Sequence, residues 1–282
     1  MEKMAHKITI KDILSFKFER RKFVAIACYD YLTAKIATQC ADALLVGDSA
    51  AQHLLGYENT LGAKMDFMVE ITAAVRRGAP EAFIIADMPF LSYQCGLAEA
   101  VKNAGRFVVE GGADIVKIET TQAYINVIKA VSDAGILTMP HIGIRPQTNI
   151  FSAKGTTIEQ AVELLELSAR LVEAGASMLL LEGTAAEVAK AITEKITVPV
   201  IGCGSGAYCD GNVLISPDIL GLSEGKTPKF SKSFGNVKQA MKDAFDEYAK
   251  AVRSGVFPDD DHSYHLKGDH LEQFKKLISE EK

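Results

Sequence analysis

Four short apolar runs, each closed by a carboxylate, constrain this chain more than any other feature. They are Ala43-Leu44-Leu45-Val46-Gly47-Asp48, Phe83-Ile84-Ile85-Ala86-Asp87, Ile115-Val116-Lys117-Ile118-Glu119 and Met178-Leu179-Leu180-Leu181-Glu182. An apolar run without polar alternation predicts a strand buried on both faces, as in a parallel sheet. An acid repeated at the end of such strands predicts a site assembled from strand ends. Any one of them could cap a helix or sit at the surface. Four at matching places predict a constellation.

Helical patterns fill the intervals. An amphipathic N-terminal helix over 8–21 carries Ile10, Ile13, Leu14 and Phe18 on one face, and the first strand follows at 23–30. Helices are expected over 31–40, around Met68 to Val75, over 97–110, around Ile125 to Val131 and from Ile158 to Val172. Gly78 with Pro80, Gly111-Gly112, Gly135 and Gly175 supply stops. Thr157 with Gln160 spells a capping box, and Thr184 with Glu187 is expected to cap the next helix. The fifth strand is Ile136 to Ile142 and the seventh Val198 to Gly202; the eighth is either Asn212 to Ile215 or the segment reaching Leu220. Val237, Met241, Phe245, Tyr248 and Val252 mark a closing helix, and the polar tail over 258–282 is expected on the surface. Eight alternating units predict an α/β chain folded as a (β/α)8 TIM barrel, one domain over residues 1–282. The alternative is an open doubly wound sheet, but no Gly-x-Gly-x-x-Gly opens an early helix to support its dinucleotide form.

Composition removes several classes of function. The formal net charge is -5, and no clustered basic face predicts nucleic-acid binding. The basic run from Lys17 to Lys22 reads as a solvated helix end. The five cysteines form no Cys-x-x-Cys pair, so a reduced, cytoplasmic protein is expected, without disulfides or structural zinc. No apolar segment is long enough to suggest a membrane span, and the start lacks the apolar core of a signal peptide.

In a barrel, functional groups gather at the C-terminal ends of the strands. Asp48, Asp87 and Glu119 would end strands two, three and four, which are neighbours. Crowded carboxylates need a cation or must take up protons. Oxygen-only ligation favours a hard ion such as Mg2+. Glu182, across the mouth, suits a general base better than a further ligand. Lys117 lies two residues before Glu119 and shares its face; it either neutralises the acids or holds a substrate anion. His141 either donates a hydrogen bond to an oxyanion or is structural. Gly202-Cys203-Gly204-Ser205-Gly206 is an anion cradle or, better, a tight turn, and Cys203 and Cys209 read as inert.

These residues resemble the ketopantoate hydroxymethyltransferase family from Phe23 to about His265. The resemblance is carried by Tyr29-Asp30-Tyr31, Val46-Gly47-Asp48-Ser49, Leu55-Gly56-Tyr57, Thr60-Leu61, Ala74-Val75-Arg76-Arg77-Gly78-Ala79-Pro80, Ala86-Asp87-Met88-Pro89-Phe90 and Val116-Lys117-Ile118-Glu119. Pro146-Gln147, Pro199-Val200-Ile201-Gly202, Cys209-Asp210-Gly211 and Pro228-Lys229-Phe230 add to it. It implies a (β/α)8 barrel that transfers a one-carbon unit from 5,10-methylenetetrahydrofolate to the small 2-oxo acid 3-methyl-2-oxobutanoate. It also implies Mg2+ and a homo-oligomer, a decamer of two rings. Asp48, Asp87 and Glu119 then serve the metal, Glu182 accepts the proton, and Asp48, Ser49, Asp87 and Lys117 meet the 2-oxo acid. The chain departs from the family's pattern at Ala50-Ala51-Gln52, at Gly62, at Pro140, in the loop of Cys203 and Ser205, and after Gln147. Two rivals stand beside this reading. One is a metal-dependent 2-oxo acid aldolase or C–C lyase with another donor, although the lyases' Lys-Lys-Cys-Gly-His signature is absent. The other is a degenerate paralogue, against which the four retained carboxylates argue.

Overall fold

The computed structural model describes residues 6–148, 150–225 and 228–280. The chain forms two compact units, one ending at Phe234 and one beginning at Gly235. The first opens with α1 (Ile10–Phe18), β1 (Phe23–Ala27), α2 (Tyr31–Ala37), β2 (Ala43–Val46), a short α3 (Ala50–His53) and α4 (Met65–Gly78). It continues with β3 (Phe83–Asp87), α5 (Leu97–Val109), β4 (Ile115–Glu119), α6 (Ile125–Asp133), β5 (Thr138–Gly143) and α7 (Ile158–Glu173). β6 (Leu179–Glu182), α8 (Ala186–Lys195), β7 (Val200–Cys203), β8 (Gly211–Ile215) and α9 (Ser216–Leu220) complete it. The eight strands close in sequence order into a parallel barrel, with β8 paired back onto β1.

Strand parity sorts the side chains into two layers. Phe23, Ala25 and Ala27, Ala43 and Leu45, Phe83 and Ile85, Ile115, Met139, Met178 and Leu180, Ile201 and Val213 form the inner cluster. Leu44 and Val46, Ile84 and Ala86, Val116 and Ile118, and Leu179 and Leu181 pack outward with the helices. Ile13 and Phe16 of α1 belong to the inner cluster together with Phe23, so α1 stoppers the N-terminal end of the barrel. Ile13 is fully buried; side chains of this kind contribute about 1.5–3 kcal/mol each. Only the C-terminal end is left to open into a site.

The structure revises several local expectations. β1 ends at Ala27, because Asp30 accepts a hydrogen bond from the Thr33 N–H (2.9 Å) and caps α2. α2 stops at Ala37, and Asp42 then exchanges bonds with Val24, giving its N–H to the Val24 carbonyl (2.9 Å) and taking the Val24 N–H on its carboxylate (2.9 Å). Thr157 caps α7, but Gln160 returns its side-chain bond to Thr156 instead of Thr157. Thr184 is not a cap: α8 starts at Ala186, because the Thr184 N–H donates to Ser205 Oγ (3.1 Å). The eighth strand is Gly211–Ile215, and α9 follows at once from Ser216, with Pro217 at home in its first turn.

The second unit contains α10 (Val237–Arg253) and α11 (His270–Glu280). α10 is the expected closing helix, but it buries no residue, and Met241, Phe245, Tyr248 and Val252 are exposed. The tail after Pro258 is more than polar surface: α11 carries Leu271, Phe274, Leu277 and Ile278, all exposed. No helix of the described residues is long and apolar enough to cross a membrane.

Candidate active site

A cavity of about 490 Å³ opens among the C-terminal strand ends and is lined by Asp48, Ser49, Asp87, Lys117, Glu119, His141 and Glu182. Parity and register explain most of this. Lys117 and Glu119 follow Ile115 on the inner face of β4, and Asp87 follows Ile85 on that of β3. Register sets Asp87 opposite Lys117 and Glu119 opposite His141. Asp48 arrives differently. With Ala43 and Leu45 facing in, a continued strand would turn residue 48 outward. β2 instead ends at Val46, and the chain turns at Gly47, where a Cβ would sit 3.0 Å from Ser49 Oγ. Asp48 is thereby brought to the mouth, and its N–H donates to Asp87 Oδ2 (3.1 Å).

Lys117 Nζ lies 2.7 Å from Asp87 Oδ2, and both side chains are almost fully enclosed. Burial alone would push the Lys117 ammonium down, but Asp87 and then Asp48 outweigh it and hold the group above its ordinary value. Burial, reinforced by Asp87, raises the Asp48 carboxyl well above the usual range. Burial also raises Glu119, against the pull of His141 and the Gln147 N–H. The Lys117 ammonium thus faces more carboxylate charge than it can balance.

His141 stands between Lys117 and Glu182. Its Nδ1 is 3.4 Å from Lys117 Nζ and its Nε2 is 3.2 Å from Glu182 Oε2. An ammonium only donates, so Nδ1 can meet Lys117 only as an acceptor, while Nε2 is on the side turned to Glu182. That side is not aligned for a hydrogen bond, and Nε2 is buried without a partner. Gly143, at φ +105°, lets the end of β5 pass close to Glu182: a Cβ there would meet the Glu182 carbonyl at 2.1 Å. Ser49 Oγ shares a hydrogen bond with the Tyr29 hydroxyl (2.9 Å).

The expected cluster of three carboxylates is divided. Among the described residues, no three His, Cys, Asp or Glu side chains come close enough to grip a metal ion by themselves. Asp48 and Asp87 adjoin, whereas Glu119 is drawn to the loop after β5, where it accepts from the Gln147 N–H (3.0 Å) and from Thr148 Oγ1 (3.4 Å). The pair nevertheless fits a hard cation. Asp87 Oδ1 is buried with no hydrogen-bond partner, an arrangement that costs free energy unless a donor or cation meets it.

Three residues of the site had no role read for them in the sequence, Gln147 appearing only in the Pro146-Gln147 pair of the resemblance. Gln147 is 3% exposed, and its Nε2 donates to Asp48 Oδ2 (2.8 Å) and to the Met88 carbonyl (3.0 Å). The Tyr93 hydroxyl has two acceptors within reach, Gln147 Oε1 (2.7 Å) and, slightly farther, the Glu119 carbonyl (2.9 Å). Asp218, at the start of α9, lines the cavity and accepts from Ser223 and from Ser231 (2.6 Å). Two expectations settle as turns and packing. Ser205 is fully buried and donates to the Leu181 carbonyl (2.7 Å), so its loop is locked onto β6. Burial pushes the thiols of Cys203 and Cys209 up, which keeps them protonated. A second cavity, about 810 Å³, shares Phe151, Glu182, Pro228 and Phe230 with the first.

Proteins of known kind share both the fold and the sequence. By structure the chain is similar to a phosphoenolpyruvate phosphomutase of Streptomyces platensis (TM-score 0.61, 11% identity, covering 97% of this chain and 98% of that one). It is likewise similar to a 2,3-dimethylmalate lyase of the PEP mutase/isocitrate lyase superfamily (TM-score 0.59, 16% identity, 98% and 99% covered). These identities speak for the barrel alone. By sequence, the 3-methyl-2-oxobutanoate hydroxymethyltransferase of Clostridium acetobutylicum is 44% identical over 275 residues, spanning 96% of this chain and 100% of that one. The enzyme of the same description from Thermotoga neapolitana is 44% identical over 250 residues, 87% and 92% of the two chains. The profile of ketopantoate hydroxymethyltransferase matches residues 7–260, which takes in every strand of the barrel and every residue lining its mouth. With that span and those identities, the chain belongs to the ketopantoate hydroxymethyltransferase family.

Proposed function

We propose that this chain transfers a hydroxymethyl group from 5,10-methylenetetrahydrofolate to 3-methyl-2-oxobutanoate, with Mg2+ as its metal. The observation that carries this reading is the gathering of Asp48, Asp87, Lys117, Glu119 and Glu182 around one cavity in a member of this family. A similar fold, a phosphonopyruvate hydrolase at 14% identity and TM-score 0.59, has been crystallised with oxalate and Mg2+. Asp48 and Asp87 would hold the ion directly, and Glu119, engaged by the Gln147 N–H, would balance its charge. Bound there, Mg2+ supplies Lewis-acid polarisation of the 2-oxo group.

The chain's own groups divide the remaining work. Lys117 offers a buried ammonium to the substrate's carboxylate, and Ser49 offers a hydroxyl beside it. Glu182 takes the C3 proton, and His141 keeps its Nε2 toward that carboxylate. C3 then bonds to the methylene carbon, water supplies the hydroxyl oxygen, and tetrahydrofolate leaves with both nitrogens. The second cavity beside Glu182 has room for this second reactant. The exposed apolar stripe of α10 supports a homo-oligomer, for which the resemblance implies a decamer, and the free cysteines suit the reduced cytoplasm.

The test is exchange of the C3 proton of 3-methyl-2-oxobutanoate in D2O, run without folate, beside a full turnover assay with it. Glu182→Gln keeps the shape but cannot accept a proton, so exchange should fall by at least about 100-fold while Mn2+ binding persists. Exchange at the parent's rate would move the base elsewhere. Exchange by the parent without folate-dependent product would change the donor.

A further inference from the structure

Gln147 lies in a single 3-10 turn after β5 (Pro146–Thr148), carries no charge, and touches two of the three carboxylates assigned above to the metal. Its side chain reaches Asp48 (2.8 Å) and its main-chain N–H reaches Glu119 (3.0 Å). A plain structural glutamine would fill space or satisfy its own loop. This one sends its amide across the barrel mouth to a residue 99 positions away.

The orientation of the amide follows from its neighbours. On one side stand a carboxylate oxygen of Asp48 and the Met88 carbonyl, both acceptors, so the nitrogen must face them. On the other side stands the Tyr93 hydroxyl, whose one hydrogen has Oε1 as its nearer acceptor (2.7 Å) and the Glu119 carbonyl as the farther one (2.9 Å). Tyr93 is itself enclosed and packs edge-on against Tyr124, with ring centroids 5.6 Å apart. The result is a directed chain, Tyr93 to Gln147 to Asp48, with every hydrogen of the amide used. It commits Asp48 Oδ2 to the protein and fixes the plane of the carboxylate.

We infer that Gln147 is a positioning residue for the cation, aiming Asp48 through its side chain and Glu119 through its main chain, with Tyr93 setting the direction of the amide. The inference rests on the metal reading under Proposed function. Outer partners that orient ligands are worth about 10–100-fold in metal affinity.

The experiment titrates Mn2+ into the metal-stripped full chain, without substrate, by electron paramagnetic resonance. Gln147→Met keeps the length and removes both donors; Tyr93→Phe removes one hydroxyl. Mn2+ affinity should weaken about 10–100-fold in Gln147→Met and in the same direction, less steeply, in Tyr93→Phe. In turnover, the Mg2+ concentration for half activity should rise while kcat at saturating Mg2+ is restored. A kcat that stays low at saturating Mg2+ with native Mn2+ affinity would overturn the positioning role, as would native affinity in both variants. Should Gln147→Met not fold, Tyr93→Phe decides alone: weaker binding supports the inference and native affinity overturns it. A parent chain that binds no Mn2+ overturns the metal reading itself and this inference with it, an outcome distinct from a parent that binds and variants that match it.

Discussion

Replacing Lys117 by Met asks how much the site depends on its buried ammonium, since methionine keeps the length and removes the charge. The Lys117–Asp87 pair is enclosed, with side-chain exposures of 8% and 1%, so solvent screening takes little from it. Breaking a buried pair from one side costs about 3–5 kcal/mol, because the remaining charge is left uncompensated. At about 2–4 °C per kcal/mol for a large domain, Tm should fall by about 6–20 °C. The sign with pH follows from linkage. Lys117 is raised above its ordinary 10.5, so its contribution is fully present below that value and is lost only as pH rises through the folded value. The parent therefore keeps it throughout the neutral range. In the variant, the carboxylates can only be relieved by taking up protons, so the deficit should shrink toward acid. Thermal and urea unfolding in EDTA, at fixed protein concentration, would be compared at about pH 8 and about pH 5. A deficit below about 1 kcal/mol at the higher pH, or one equal at both, would refute the reasoning.

Two further outcomes follow from the same electrostatics. Because the Asp48 carboxyl is raised above its ordinary 3.8, the metal-free parent should lose stability as pH rises from there through the folded value. Asp48→Asn should flatten that part of the profile in the same EDTA series; an unchanged slope would mean that Asp48 is not the strained acid. Lys117, held protonated between Asp87 and Asp48, should form no imine, so borohydride with 3-methyl-2-oxobutanoate should leave the intact mass unchanged. A stable adduct on Lys117 would replace metal chemistry with Schiff-base chemistry.

The sequence by itself determined the parallel α/β plan, with the barrel as its preferred closure, and the strand-end acids of the mouth together with Lys117 and His141. Apolar runs buried on both faces could only be central parallel strands, and the helical stripes between them required crossovers. The period of two along a strand sends Lys117 and Glu119 to one face whatever surrounds them. Such information is local, carried by spacing and side-chain type. What only the tertiary structure decided is how the strand ends meet. Asp48 comes inward because the chain turns at Gly47, against its parity. Glu119 is separated from Asp48 and Asp87 because a loop amide and a threonine hydroxyl claim it. Thr184 and Gln160 bond to partners other than those their spacing suggested, Thr184 because β7's loop supplies one. Tyr93 had no pattern to betray it, and Gln147 stood only in the Pro146-Gln147 pair of the resemblance, which gave it no role: a neutral amide in a short turn acquires one only when barrel closure sets strand ends far apart in the chain side by side. Periodicity says which face a residue takes; distances between faces are set by the packing of the whole.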